Sequence, residues 1–547
     1  MDKMNAGIYC DMPSWLAYWD ACTSGMEDAT PPHQHLVWGG PGAGGNMWEA
    51  TTSWQMSAFL DHLAAKKAAT GRYGCDYIQW HNKGALGSPP AGSPSHQHTG
   101  TCNTLVDLNS TQVISRRWPG IAAALPMGNE EADAMGGWNH IEAWHADAGD
   151  AAAIVRILAM HEDMIQLSNG SWALSNLTWG YHANDNAFLN YGDAWFEQRT
   201  LVTRFEMNLT GTVEIIRKPT VNTMAILSLL GDRRHPVVWT GAGLPAPQPS
   251  TPSSAPFGAI ATSQFGGASL SGAGDEHEDE LAILMWNSNG TWGCTSACNL
   301  TVSVTLPAAA AWRRTRRSWD GTGAVGGAVA VRMYRLDQVH GNPAALFMQQ
   351  TAGDPKAHPY PTADEFAALR RASELPSESC TVGRPSAVAV TAEGGCVMQA
   401  LPSGDSVISV HLPQPAVVLV HACSRHPPAH GGQPRNATSS SPPSGLTLRT
   451  TSTPAQMFVR WTDVPSRCIR TYTLMYAPSA SAPYSPVNDA TDTVFTAAVH
   501  QQSPPSARGF AKGCYRVGWV DYWGSASALS ASVCVQGAGL PRPFVNL

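Results

Sequence analysis

The sequence has little charge for its length and contains no long apolar run. Charged residues make up 14% of its 547 residues, and the formal net charge is −7. No basic field therefore draws the protein to nucleic acid or to an anionic membrane. No segment reaches the roughly 18 apolar residues that a membrane span requires, and MDKMNAGIYCDMPSW lacks the apolar core of a signal peptide. These absences leave small polar ligands as candidate partners.

Several motifs of known chemistry are also missing. The sequence has no phosphate-cradling P-loop and no G-x-S-x-G nucleophile turn. Two His-Gln-His stretches, around His33 and His96, have the spacing of metal ligands on a strand, but they lack the H-E-x-x-H pattern of a helical zinc site. The sequence therefore predicts no metal and no cofactor.

Cysteines and glycosylation sequons favour a secretory protein. The twelve cysteines are an even set, and cytosolic cysteines are normally kept reduced. Asn-x-Ser/Thr sequons begin at Asn109, Asn169, Asn176, Asn208, Asn289, Asn299 and Asn436. Both features fit an oxidising compartment, whereas the missing signal peptide, taken literally, indicates an intracellular chain.

Helix-like and strand-like patterns alternate from residue 12 to about 235. Trp15, Leu16, Trp19 and Cys22 share one face of a predicted helix, and SAFLDHLAAKKAA and DAAAIVRILAMHEDMIQLSNG are two further predicted helices. HLVWGGPG, YGCDYIQWH and GIAAALPMGNE are predicted strands. This alternation predicts parallel β/α units over residues 1–235, in which ligand groups collect where strands end.

The pattern of the rest of the chain predicts all-β structure. Residues 242–275 are low in charge and rich in Pro, Gly, Ala and Ser, which predicts a disordered insertion. ELAILMW, NLTVSVTLP, AVRMYRLD, GCVMQALP and AVVLVHACS predict an antiparallel β-sandwich over residues 236–430, followed by a linker. Trp461, Tyr472 and CYRVGWVDYWG predict a fibronectin type III-like module over residues 446–540.

A cluster of acids follows the third predicted strand, in MGNEEADAMGGW. Because side chains alternate along a strand, Glu131 and Asp133 share one face and Glu130 points away. Retaining glycosidases need two carboxyl groups about 5 to 5.5 Å apart, and acids two positions apart on one strand are more typical of a polar network. Spacing alone therefore leaves both a catalytic acid and solvated loop acids open.

Three further polar residues stand near predicted strand ends. Lys83 in WHNKG and Arg199 in FEQRT could bind an acidic sugar, since the guanidinium offers two hydrogen bonds to a carboxylate. Surface charges or structural ion pairs are the alternative. Asp185 in HANDNAFL could accept hydrogen bonds from sugar hydroxyls or could simply form a turn.

Several segments, in order along nearly the whole chain, resemble the iduronidase branch of the family-39 glycoside hydrolases. They are LAYWDACTSG, GGPG, DYIQWHNKG, NEEAD with GGW, NDNAFL, QRTLVTRFEMN, RKPTVNTMAILSLL, PTADEFAALR and YRVGWVDYW. The resemblance implies an α/β plus all-β chain that begins with a partial TIM (β/α)8 barrel. A β-sandwich and a fibronectin type III-like domain would follow, in the order that the strand and helix patterns predict.

The resemblance also implies roles for residues of this sequence. The family nucleophile corresponds to Glu131, although Glu130 and Ala134 replace the Asp and Pro that flank it in the family. The residues that would bind the uronic acid are His81, Lys83, Asp133, Gly137, Trp138, Asp185 and Arg199. A family glycosylation site corresponds to Asn208, and a family disulfide corresponds to Cys423 with Cys468.

One family motif has no counterpart here. The family's acid/base is the Glu of a Trp-Asn-Glu-Pro at the end of the fourth barrel strand, and the one Asn-Glu pair of this sequence, Asn129 with Glu130, belongs to the nucleophile segment. No residue therefore receives the acid/base role. We interpret the chain as N-terminally truncated, with the second half of the barrel, and expect it to be inactive alone.

The resemblance predicts a retaining exo-glycosidase that removes terminal α-L-iduronic acid, or a similar uronic acid, from acidic polysaccharides such as glycosaminoglycans. The complete product is expected to be lysosomal, vacuolar or secreted. One alternative is a non-catalytic carbohydrate-binding protein derived from the same fold. Another is a family-39 glycosidase of different sugar specificity, such as a β-xylosidase.

Overall fold

The fold is given by a computed structural model. It describes residues 11–30, 36–44, 54–81, 100–129, 143–167, 192–197, 200–207, 212–238, 257–265, 278–288, 299–306, 329–383, 396–401, 405–425, 441–450, 456–464, 468–487, 495–502 and 511–535.

The N-terminal part is a parallel sheet covered by helices. Its strands are β1 (Gly39–Gly44), β2 (Tyr77–His81) and β3 (Met127–Asn129), hydrogen-bonded in that order and all parallel. The helices are α1 (Met12–Ala29), α2 (Trp54–Thr70), α3 (Gly100–Arg117), α4 (Pro119–Ala124) and α5 (Ala148–Leu167). The predicted parallel β/α units are confirmed for these strands.

Apolar faces of the helices pack against the middle of this sheet. Phe59 and Leu63 of α2 contact the core that Ile78 of β2 and Met127 of β3 also enter, and all four side chains are fully buried. Helix α1 begins after Asp11, whose carboxylate accepts a hydrogen bond from the backbone of Ser14 at 2.8 Å and so satisfies one free amide of the first turn.

GIAAALPMGNE is not one strand, so that prediction was wrong for its first half. Residues Pro119–Ala124 form helix α4, and Met127–Asn129 form strand β3. Proline is favoured at the first turn of a helix, and the three alanines that follow have the highest helix propensity. A short apolar run cannot be divided between helix and strand by periodicity.

A hairpin and a helix connect this part to the β-rich remainder. Strands β4 (Val202–Met207) and β5 (Thr212–Arg217) pair antiparallel, and α6 (Pro219–Ser228) follows. Of two 3-10 segments, Gly192–Glu197 contacts β4, and Ala143–Ala146 contacts Gly192–Glu197. Rings of Phe196, Phe205, Phe347 and Phe366 contact one another with centroids 5.2 to 6.0 Å apart.

Two antiparallel sheets form the middle of the chain. The first sheet has the order β11-β10-β15-β8-β7-β6, and the second has the order β12-β13-β14-β9 apart from one parallel pair, β12 with β13. The strands are β6 (Arg233–His235), β7 (Phe257–Phe265), β8 (Glu278–Asn287), β9 (Leu300–Leu306), β10 (Val329–Asp337), β11 (Ser377–Ser379), β12 (Thr381–Gly383), β13 (Val397–Ala400), β14 (Ser406–Leu412) and β15 (Ala416–Arg425); the helices α7 (Pro343–Gln350) and α8 (Ala363–Ala372) lie between β10 and β11.

Alternate residues of these strands form a shared core. Val331 and Val418 of the first sheet pack with Ile408 and Val410 of the second. The alternating burial of β14 matches the period of two expected for a strand with one covered face. The two sheets are thus packed face to face.

Residues 257–265 form strand β7, so the prediction of a disordered insertion over residues 242–275 was wrong there. The strand is hydrogen-bonded on both sides, to β6 and to β8. Its small residues allow close packing: a Cβ on Gly258 would lie 2.0 Å from the indole of Trp286. Composition indicated disorder because small residues score as weakly apolar, whereas tertiary pairing determines strand formation here.

The C-terminal part is a second pair of antiparallel sheets, with the orders β16-β17-β20 and β19-β18-β21-β22. Trp461 and Tyr472 contact each other in its core, with ring centroids 5.6 Å apart. The strands are β16 (Ser444–Thr450), β17 (Gln456–Thr462), β18 (Ile469–Ala477), β19 (Ser485–Pro486), β20 (Ala497–Gln501), β21 (Gly513–Asp521) and β22 (Val533–Val535).

One disulfide and a shared apolar core join these parts. Cys423 of β15 is bonded to Cys468, just before β18, as the family resemblance implies. Cys380 is bonded to Cys396 and Cys514 to Cys534. Helices α5 and α6 share a core with the six-stranded sheet and with the Cys423–Cys468 pair.

Within the described ranges, none of the helices is long and apolar enough to cross a membrane. The same ranges contain no group of three or more His, Cys, Asp or Glu side chains that could hold a metal ion.

Candidate active site

Most predicted site residues lie outside the described part of the chain. These are Lys83, Glu131, Asp133, Gly137, Trp138, Asp185, Arg199 and the sequon residue Asn208. His81 is the last residue of β2. The structure does describe the strand ends that precede Lys83 and Glu131 in the sequence and the turn that precedes Arg199.

The end of β2 and the end of β3 are neighbours. Trp80 of β2 pairs with Asn129 of β3 in the parallel register. His81 comes directly after Trp80, and Glu131 comes two residues after Asn129. The segments that carry the predicted nucleophile and the predicted His81 and Lys83 therefore leave the sheet side by side, at the carboxyl edge where ligand groups collect in β/α folds.

A buried carboxylate lies beneath both strand ends. Asp107, in α3, accepts a hydrogen bond on Oδ1 from the indole of Trp80 at 2.7 Å and one on Oδ2 from the amide of Asn129 at 2.9 Å. His161 of α5 places Nε2 2.9 Å from the same Oδ2. All four side chains are at most 1% exposed, so this cluster is closed off from solvent.

The orientation of His161 follows from its second contact. Its Nδ1 lies 2.8 Å from the backbone carbonyl of Ile157. Because a carbonyl oxygen only accepts, we assign a proton to Nδ1. The ring is thus fixed by its own helix, with Nε2 facing Asp107.

A second buried group holds the turn that precedes Arg199. Lys218 donates from Nζ to the carbonyl of Phe196 at 2.9 Å, and its backbone N–H donates to the carbonyl of Leu201 at 3.1 Å. His145 places Nδ1 3.2 Å from the carbonyl of Glu197. These contacts fix the chain on both sides of residues 198 and 199.

The backbone of this turn is strained. Trp195 has φ 30° and ψ −102° inside the 3-10 segment, a conformation that costs a non-glycine residue of the order of 1–3 kcal/mol. Its ring packs on Phe347 with centroids 5.8 Å apart. Such strain persists only where the surroundings over-determine the conformation, as the contacts of Lys218 and His145 do here.

Burial and the neighbouring carboxylates have opposite effects on the pKa of Lys218. Complete burial lowers the pKa of its ammonium to about 7, although the negative charges of Asp150 and Asp147 act to raise it. Burial also raises the pKa of Asp147, against hydrogen bonds from Gln338 at 2.9 Å and from the backbone of Gly149 at 2.7 Å.

Sequence reasoning missed Asp107, His161 and Lys218. His161 follows Ile154, Ile157 and Leu158 at the spacing of one helical face, which is the available signal that it faces the core. The partner of a buried polar residue is far away in sequence, however: Asp107 is 54 positions from His161. No local pattern identifies such a pair.

Comparisons with known proteins agree with this architecture. The model of glycosyl hydrolases family 39 matches residues 4–271, and the model described as the α-L-iduronidase C-terminal domain matches residues 446–536. A solved structure of the bacterial orthologue of human α-L-iduronidase has a TM-score of 0.64 at 21% identity. That match covers 97% of this chain and 76% of that chain, and it shows a shared mixed α/β and β-rich fold.

Two curated relatives align over almost the whole sequence. α-L-Iduronidase of Canis lupus familiaris is 29% identical over 97% of this chain and 70% of its own length. α-L-Iduronidase of Homo sapiens is 29% identical over 97% of this chain and 69% of its own length. Both models match in order and both relatives align over 97% of this chain, so the chain is a glycoside hydrolase similar in sequence to the α-L-iduronidases of glycosyl hydrolase family 39.

Proposed function

We propose that the protein is a retaining exo-glycosidase that removes terminal α-L-iduronic acid, or a similar uronic acid, from acidic polysaccharides such as glycosaminoglycans. The name of the dog and human relatives, which align over 97% of this chain, carries the choice of sugar. The adjacency of β2 and β3 supports the choice of site, because the two segments with the predicted nucleophile and one predicted cation begin at neighbouring strand ends.

We assign each predicted residue a step. Glu131 attacks the anomeric carbon, so that a glycosyl–carboxylate bond forms and the glycosidic C–O bond breaks; water then cleaves the intermediate. Lys83 and Arg199 pair with the sugar carboxylate. The remaining contacts to the sugar come from His81, Asp133, Gly137, Trp138 and Asp185. No residue of this sequence is assigned to protonate the leaving oxygen.

The domain assignments belong to the same proposal. Residues 1–235 are assigned to the C-terminal half of a (β/α)8 barrel, residues 236–430 to a β-sandwich and residues 446–540 to a fibronectin type III-like domain. Parallel strands alternating with helices support the first assignment, and paired antiparallel sheets support the other two.

A lysosomal, vacuolar or secreted location fits the cysteine chemistry. Cys380, Cys396, Cys423, Cys468, Cys514 and Cys534 form three disulfides. Such bonds persist in oxidising compartments and are rare in the cytosol. N-glycosylation at Asn208 belongs to this proposal.

The test compares Glu131→Gln with Glu130→Gln in the protein expressed from its gene. Hydrolysis of a fluorogenic α-L-iduronide is measured together with binding of free iduronic acid. We expect Glu131→Gln to lose turnover by several orders of magnitude and to keep binding, because the amide is isosteric but not nucleophilic. Glu130→Gln, predicted to point away, keeps most of its turnover. Near-normal turnover of Glu131→Gln would contradict the assignment of Glu131 as the nucleophile.

A non-catalytic carbohydrate-binding protein is the second candidate function. Lys83 and Arg199 could pair with a uronate carboxylate whether or not the protein catalyses hydrolysis. Binding of iduronic acid by the unmodified protein without any hydrolysis would support this candidate. Faster hydrolysis of a fluorogenic β-xyloside than of the iduronide would support a different sugar specificity.

A further inference from the structure

We propose that Asp107 is a positioning residue for the reaction. By accepting hydrogen bonds from Trp80 and Asn129, it fixes the end of β2 relative to the end of β3. In doing so it sets where Glu131 stands relative to the segment of His81 and Lys83. The effect on catalysis rests on the proposed function, whereas the hydrogen bonds of Asp107 do not depend on it.

The two links use different oxygens of one carboxylate. Oδ1 accepts from Trp80 and Oδ2 accepts from Asn129, and these two donors are paired residues of adjacent strands. The carboxylate therefore bridges the strands from the helix side. Burial in a low dielectric increases the strength of both hydrogen bonds.

His161 ties the same carboxylate to α5. Its Nδ1–H donates to Ile157 and its Nε2 lies 2.9 Å from Oδ2 of Asp107. Helix α3, helix α5 and two strands thus meet at one group, which is what a rigid support for residues beyond the strand ends requires.

The consequence for catalysis is geometric. Glu131 is two residues beyond Asn129, so a shift of the β3 end moves the point at which the segment of the nucleophile leaves the sheet. A misplacement of 1 Å can cost about 10²-fold in rate. Loss of Asp107 should therefore lower kcat more than it changes KM, since the sugar contacts are spread over other segments.

A stabilising role alone is the competing explanation. Removal of a buried, hydrogen-bonded carboxylate lowers stability whatever its role in catalysis. The control residue therefore has to be equally buried and distant in the fold. Asp521, at the end of β21, is 2% exposed and accepts hydrogen bonds from the backbone of Trp523 at 2.9 Å and Ser525 at 2.8 Å. Asp521→Asn is the matched control.

The conservative variant Asp107→Asn makes a distinct prediction. Its amide nitrogen would donate to His161 Nε2, and its oxygen would keep the bond from Trp80. The nitrogen would then face the donor amide of Asn129, so the link to β3 would be lost while the link to β2 would remain. Amide exchange should accelerate at residues 127–129 and stay unchanged at residues 77–81.

The experiment uses the whole protein expressed from its gene. Rates on the fluorogenic α-L-iduronide are combined with hydrogen exchange followed by mass spectrometry on peptides covering residues 77–81 and 127–129. For Asp107→Ala we expect kcat to fall about 10- to 100-fold with KM changed less than about threefold, and exchange to accelerate at both strand ends. Asp107→Asn should retain more activity, and Asp521→Asn should keep kcat within about twofold.

The outcomes separate this inference from the proposed function. If the unmodified protein does not hydrolyse the iduronide, the proposed function fails and exchange alone decides: acceleration in Asp107→Ala but not in Asp521→Asn supports positioning. If Asp107→Ala does not fold, Asp107→Asn decides: faster exchange at residues 127–129 with unchanged exchange at residues 77–81 supports positioning. Unchanged kcat and unchanged exchange in a folded Asp107 variant would overturn the inference.

Discussion

Lys218 donates a hydrogen bond to the backbone carbonyl of Phe196 across 2.9 Å, and its side chain is completely buried. Phe196 is three residues before Arg199, a predicted contact of the sugar carboxylate. The same lysine is bonded through its backbone N–H to Leu201, two residues after Arg199. A desolvated amine therefore lies against the turn that carries a proposed substrate contact.

This burial predicts a pH dependence of stability. In the folded protein the pKa of Lys218 is lowered to about 7, whereas an unfolded lysine titrates near 10.4. Between these values the unfolded chain binds more protons at this residue than the folded chain does, so the free energy of unfolding rises with pH. Below about pH 7 both states are protonated, and the residue contributes no further pH dependence.

Lys218→Met removes this term. The free energy of unfolding of the unmodified protein minus that of the variant should rise between pH 7 and pH 9, by up to roughly 1 kcal/mol per pH unit. Urea titrations at pH 6, 7, 8 and 9 measure it. Lys67→Met, which removes an exposed ammonium from α2, is the control for the loss of one lysine charge. The same trend with pH in both variants, or a constant difference for Lys218→Met, would contradict the prediction.

We expect the addition of a single methyl group at Gly258 to lower the free energy of unfolding. Its Cβ would lie 2.0 Å from the buried ring of Trp286 on the paired strand β8. Overpacking of this kind costs typically 1–3 kcal/mol, so Gly258→Ala should lower the urea midpoint. Gly25→Ala is the control, because the same methyl group has open space in α1 and should be neutral or stabilising by up to about 1 kcal/mol. Equal midpoints for the two variants would show that β7 is not packed as described.

Much of the secondary structure could be predicted where apolar periodicity is strong. Helix α5 and strands β8, β9, β10 and β15 were predicted from local pattern, because their neighbours in space demand one apolar face or a continuous apolar run. Strand β7 and helix α4 were missed. The small residues of β7 gain their burial from Trp286 of another strand, and nothing in its own sequence carries that information.

Some residues of the candidate site could likewise be predicted from the sequence, and others could not. The positions of Glu131, Lys83 and Arg199 came from motif resemblance, which is a local property of the sequence. Asp107 lies in a helix of mixed composition, and its partners come from two strands and another helix. Its role depends on which side chains the fold brings together, so periodicity could at most predict its burial.

A final prediction concerns the junction of the two β-rich parts. The hydroxyl of Tyr522 lies 2.9 Å from that of Tyr334 in β10 and 2.6 Å from Nδ1 of His421 in β15. Removing one partner of a buried hydrogen bond costs about 1–3 kcal/mol. Tyr334→Phe and Tyr522→Phe should each destabilise the protein, and the double variant should lose less than their sum.

The coupling between these tyrosines should be about 0.5 kcal/mol or more, as for other contacting polar groups. Tyr484 provides the matched control, since its hydroxyl is bonded to Ser532 within the C-terminal part. Tyr334→Phe combined with Tyr484→Phe should therefore be additive in urea unfolding. Additivity of the Tyr334 and Tyr522 variants would mean that the hydroxyl contact does not link the two parts, and that the Cys423–Cys468 disulfide and apolar packing hold the junction instead.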